Sequence, residues 1–197
     1  MIANLGDFDL GSFDSVIDPR SIGLEHWSYN VGMVRQVIAA RSGRDTQVVV
    51  SPDCARLMQA MKLQVGQRAE SAASGPRLPR LLAREWRAAS LLGQALRRGD
   101  RVLLLHVHPL ALCLAAPALL RHGKRVSVCL HNDFVGAARS GGAENRVEAA
   151  LWRLSAFLGR SMSFVAPNRH FARFARQLLP RGTPVVTVAP VSYTHLR

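Results

Sequence analysis

A chain of 197 residues, 48% hydrophobic and 20% charged, has the length for one domain that buries about two-thirds of its surface, and is too apolar for a disordered segment. Its formal charge of +13 and pI near 11.4 favour an anionic partner (lipid, phosphate or nucleic acid) or else describe a solvated basic surface. Three well-separated cysteines, Cys54, Cys113 and Cys129, suggest neither a disulfide framework nor a paired-cysteine zinc site, and suit a reducing cytoplasm.

Residues 1–14, MIANLGDFDLGSFD, are acidic and lack the positive and apolar regions of a signal peptide, so they read as an N-terminal extension. From there, apolar runs of strand length recur at Ser15 to Ile17, Gln47 to Val50, Val102 to Leu105, Val126 to Leu130, Ser163 to Val165 and Val185 to Val188. Their apolar residues are continuous rather than alternating, as in strands covered on both faces. Helical patterns fall between them at about His26 to Arg41, Cys54 to Met61, Leu81 to Arg98, Leu110 to Arg121, Glu144 to Leu158 and Arg169 to Leu178. Strict alternation of the two predicts a parallel, doubly wound α/β sheet in a single domain. Two segments read as loops, Gln67 to Pro79 (QRAESAASGPRLP) and the glycine-bearing Gly136 to Gly142 (GAARSGG), the second placed where a lid would be useful. The longest apolar run, Val102 to Leu120, falls just short of a membrane span and holds His106, His108 and Pro109, so it reads as strand, turn and helix.

An open parallel sheet binds ligands beyond the carboxyl ends of its strands. The polar residues that follow each run are therefore the candidates: Asp18 and its loop, Ser51 and Asp53, His106 and His108, His131 with Asn132 and Asp133, and Asn168. In VSVCLHNDF, His131 either tunes proton transfer or a developing charge near a hydroxyl, or satisfies a backbone carbonyl while Asn132 and Asp133 form a turn. HVHP sets two imidazoles at i and i+2, on one face of a strand; a metal site there would need His131 as well, and the competing reading is a strand-end hydrogen-bonding pair. The first crossover, DPRSIGLEHWSYNVGMV, lacks the G-x-G-x-x-G fingerprint. Its His26, Trp27 and Tyr29 either meet a ligand at a helix N-terminus or pack on the sheet.

Arg80, Arg84 and Arg87 line one side of a helix, and Arg169, Arg173 and Arg176 repeat the spacing. Such helices either rest on an anionic membrane or form an ordinary solvated face. Nucleic acid is not favoured, because no zinc-finger spacing, RNP-like aromatic motif or basic helix interleaved with stacking aromatics is present. No nucleophile elbow or P-loop points to a hydrolase or NTPase.

The order DPRSIGLEHWSYN, LLLHVHP, VSVCLHNDF, FVAPNRHFARF, VVTVAP resembles the N-terminal domain of GT-B glycosyltransferases, in particular the large family of mannosyl- and glucosyltransferases that act on lipid or polysaccharide acceptors. The similarity covers about residues 15 to 190. It implies a Rossmann-like domain that binds the acceptor, with His131 at the catalytic position and with His26, Trp27, His108, Asn132, Asp133 and Asn168 around the acceptor. It further implies a nucleotide sugar as co-substrate, no tightly bound cofactor and no metal. Two departures stand out. Only Gly23 stands before LEHWSYN in the first crossover, where the family has a glycine pair, and the family's second α/β domain, with its Glu-x7-Glu motif and most of the donor site, is missing. The last residues, VSYTHLR, follow a strand without turn chemistry, so residues 191–197 read as a spurious tail on a chain cut at a domain junction, inactive by itself. The alternative from a different class is a non-catalytic basic α/β module that binds anionic membrane or nucleic acid.

Overall fold

In the computed structural model the described residues are 8–21, 26–42, 44–67, 76–130 and 142–188, and all strands among them run parallel in one sheet. The strands are β1 (Ser15–Ile17), β2 (Gln47–Val50), β3 (Gly66–Gln67), β4 (Val102–Leu104), β5 (Val126–Cys129), β6 (Ser163–Ala166) and β7 (Val185–Thr187), ordered β3-β2-β1-β4-β5-β6-β7. The helices are α1 (Trp27–Ala40), α2 (Pro52–Ala60), α3 (Arg77–Arg98), α4 (Pro109–Leu114), α5 (Ala116–His122), α6 (Ala143–Leu158) and α7 (Arg169–Leu178).

Strand order and handedness decide which face each helix covers. From β1 the chain steps outward to β3, then crosses back to β4 and steps the other way to β7, so right-handed crossovers send α1 and α2 to one face and α3 to α7 to the other. The side chains obey the period of two. Ile17, Val102, Leu104, Val126, Val128, Phe164 and Ala166 pack with the α3 to α7 layer, whereas Val16, Val48, Val50, Leu103, Leu105, Cys129 and Val165 pack with α1 and α2. With both faces covered, the continuous apolar runs of the sequence are what the geometry requires. The result is a single Rossmann-like α/β domain. Phe13, just before β1, is 2% exposed and belongs to the α1 and α2 layer.

Three local features differ from the sequence reading. β3 lies where a loop is predicted, because its pairs Val49 with Gly66 and Val50 with Gln67 are backbone bonds that need no apolar side chain. The helix predicted over Leu110 to Arg121 is two helices that meet at Ala115. Pro117 has no N–H to donate to the Cys113 carbonyl, and its ring crowds that oxygen. Helix α3 starts at Arg77, one turn before the predicted Leu81.

No helix among the described residues is long and apolar enough to cross a membrane.

Candidate functional site

The sheet changes direction between β1 and β4, and there the crevice opens beyond the carboxyl ends. Asp18 follows β1 and is fully buried. Its carboxylate accepts from the backbone N–H of Arg20 at 3.2 Å and of Ser21 at 3.0 Å, which closes a tight turn, and from the Asn30 side-chain amide at 2.6 Å. Asn30 sits in the first turn of α1, so the bond ties the end of β1 to the start of the helix it feeds. Asn30 is itself fully buried, and its Oδ1 accepts no hydrogen bond among the described residues, which leaves one acceptor in the cluster.

His106 follows β4 and is 5% exposed. Its Nδ1 lies 3.1 Å from Ser21 Oγ, and its ring meets that of His26 edge-on with centroids 4.8 Å apart. His26 caps α1 with φ of 56°, in the left-handed region. That conformation costs a residue with a Cβ about 1 kcal/mol or more and persists only where its surroundings enforce it. Two imidazoles, a hydroxyl, an amide and a carboxylate from β1, α1 and β4 thus converge on the switch point. The combination can orient hydroxyl groups and exchange protons.

The remaining candidates take up different tasks. Trp27 is 37% exposed on the first turn of α1, so it faces solvent beside the crevice, whereas Tyr29 packs on the α1 and α2 layer and hydrogen-bonds the Cys129 thiol. His108 caps α4, its Nδ1 accepting from Leu110 N–H at 3.2 Å. Asn168 caps α7, accepting from Phe171 N–H at 3.0 Å, and Ser51 caps α2 in the same way at 3.3 Å from Cys54 N–H. These caps satisfy helix N–H groups that have no partner within the helix. The two histidines of HVHP have different polar partners, Ser21 for His106 and Leu110 N–H for His108. No group of three His, Cys, Asp or Glu side chains among the described residues could hold a metal ion. His131, Asn132 and Asp133 lie outside the described residues, as does the predicted lid loop Gly136 to Gly142 apart from its last residue. The last described residue before them, Leu130, is buried and donates its N–H to Val165 O at 2.9 Å, so the chain leaves β5 at the carboxyl edge.

Burial raises the pKa of every cysteine thiol. Burial, reinforced by the negative charge of Asp18, pushes Cys54 up to about 11, and burial pushes Cys129 up to about 12 against the opposing bond from Tyr29. Burial also raises Cys113. In all three the shift disfavours the thiolate.

Ser21 and Asn30 do not stand out in the sequence. Their only signal is position, three and twelve residues beyond the carboxylate that ends β1.

Comparison with protein-family models, with curated proteins and with solved structures finds no match to this chain.

Proposed function

We propose that this domain is the acceptor-binding half of a nucleotide-sugar-dependent hexosyltransferase that uses a lipid or glycan acceptor. The observation that carries the reading is the cluster of Asp18, Ser21, His26, Asn30 and His106 at the β1 and β4 switch point, built from two of the segments, DPRSIGLEHWSYN and LLLHVHP, whose order resembles GT-B enzymes. A sugar acceptor presents several hydroxyls at once, and a crevice wall rich in groups that both donate and accept suits it. The exposed ring of Trp27 offers an apolar face for the flat side of a pyranose.

In this reading His131, with Asn132 and Asp133 beside it, hydrogen-bonds at the reacting centre, while His108 and Asn168 hold the neighbouring loops through their caps. The donor sugar nucleotide needs a second α/β domain. Its phosphate charge is offset by helix N-termini and basic residues there. The test is to read the gene past codon 190 and assay the complete product with UDP-glucose and GDP-mannose. Transfer that falls at least about a hundredfold in His131→Ala supports the reading. Transfer by residues 1–190 alone, or an undiminished rate in His131→Ala, overturns it.

A further inference from the structure

On α6 the solvent-facing side is apolar where a helix of a water-soluble domain is normally polar. Val147 is 62% exposed, Leu154 45% and Phe157 57%, and exposed Ala150 lies between them. Their spacing of 0, 3, 7 and 10 residues keeps them in one stripe along the helix. A second stripe, Arg146, Arg153 and Arg160, recurs every seven residues along the flank of the first, and all three are exposed. The Arg160 guanidinium sits over the Phe157 ring at 5.2 Å, and Arg153 is anchored by its Nε to Leu178 O at 3.0 Å. Next to α6, Arg169, Arg173 and Arg176 are exposed on α7, and Leu120, 64% exposed, stands on α5 beside Arg121. Glu148 is half-buried and lies about 100° or more round the helix from Val147 and Leu154.

We infer that this face of α6 docks on an anionic lipid bilayer. An apolar band bordered by arginines matches the depth profile of a membrane surface, with acyl chains under the band and headgroup phosphates at the guanidiniums. A second copy of the chain fits worse, since pairing through α6 would bring arginine rows together with no acidic residue among the described side chains of the face to answer them. Nucleic acid would answer the arginines and leave the apolar band unused. Helix α3 carries the combination less fully, with the exposed Arg97 near its end about 60° from the middle of its apolar ridge. Leu78, Leu82 and Trp86 are exposed there, but Arg80, Arg84 and Arg87 lie about 140° or more round the helix from the middle of that ridge. Arg84 is also paired with the buried Glu85 at 2.9 Å.

Docking along α6, about 24 Å long, lays the sheet flat over the bilayer, with the crevice opening along the membrane. The inference does not depend on sugar transfer. It is tested by sedimenting the full chain with vesicles of phosphatidylglycerol and phosphatidylcholine, and with phosphatidylcholine alone, over a range of salt. The expected result is strong retention on the anionic vesicles that weakens with salt. Arg146→Gln with Arg160→Gln should lower the partition roughly thirtyfold, about 1 kcal/mol for each arginine. Leu154→Ser with Phe157→Ser should lower it at least about tenfold, and Leu82→Ser with Trp86→Ser should leave it unchanged. Apart from the α3 ridge controls these exposed side chains lie on the α6 face or, for Arg160, just past the end of α6, so unchanged circular dichroism is expected throughout. Absence of retention on anionic vesicles, equal retention on neutral ones, loss through the α3 pair instead of the α6 pairs, or a dimer that Phe157→Ser dissociates would each overturn the inference.

Discussion

Ser21 and His106 meet across the switch point of the sheet, Oγ to Nδ1 at 3.1 Å, although 85 residues separate them in the chain. The bond fixes the orientation of the imidazole after β4 by means of the turn after β1. Ser21→Ala is expected to cost about 1–2 kcal/mol in urea unfolding, because it leaves a buried ring nitrogen without this partner. The His106 ring resonances should shift in NMR spectra while the fold is kept. Unchanged resonances would show that the contact does not hold the ring.

Asp18 is the centre of the cluster. In Asp18→Ala the Asn30 amide and two backbone N–H groups lose their acceptor in a site closed to water, and the expected loss is about 2–4 kcal/mol. In the double variant with Asn30→Ala the loss should be smaller than the sum of the two single losses, since the second substitution removes a donor already orphaned by the first. Additive losses would mean that the 2.6 Å bond contributes nothing of its own.

The same carboxylate acts on Cys54. Asp18→Asn removes a negative charge that opposes the thiolate, so the Cys54 pKa should fall from about 11. In the unsubstituted protein burial keeps both Cys54 and Cys129 in the thiol form at neutral pH. A thiol reagent should therefore label Cys54 and Cys129 only after denaturation, and rapid labelling of the folded protein would contradict the placement of both.

Acid should loosen the amino-terminal edge of the sheet through Asp14. Burial alone would raise its pKa, but the Arg101 N–H and the Arg41 guanidinium, 2.9 Å away, outweigh burial and hold the carboxyl below 3.8. A carboxyl depressed in the folded state stabilises the fold above its unfolded pKa, and this contribution disappears as pH falls through the folded value. Stability is thus expected to drop as pH is lowered below about 4. The drop should be smaller in Asp14→Asn, which itself costs ~1 kcal/mol at neutral pH because the pair is half-exposed. An identical acid profile in both proteins would rule out this assignment.

Much of the architecture is legible in the residues. Val16, Val48, Val49, Val128 and Phe164 sit in runs that only a two-sided sheet can bury, and those runs fall at the observed strands. Gly66 and Gln67 pair through backbone alone, so β3 leaves no pattern to read. Pro117 carried the signal for the break at Ala115, but the apolar periodicity of Leu110 to Leu120 ran across it. The site was only half legible. Strand-end residues can cap a helix or meet a ligand with the same polar atoms, and Ser51, His108 and Asn168 each accept a helix N–H in the fold. Asn30 lies inside a helix, where nothing in its neighbours reveals that it turns back to Asp18. The partnership of Ser21 with His106 is set by strand order, which no local pattern encodes.

That strand order also sets a timetable. β1 is bordered by β2 and β4, and its second neighbour is in place only once Val102 to Leu104 exist. At usual rates of synthesis, 85 residues take on the order of 4 to 17 seconds. Through that interval the nascent chain holds Asp18 and Ser21 with β1 open along one side, a long loop waiting to close. Closure of the β1 and β4 seam gives β1 its second neighbour and brings Ser21 to His106, so a chain cut short before β4 keeps an exposed strand and lacks that contact.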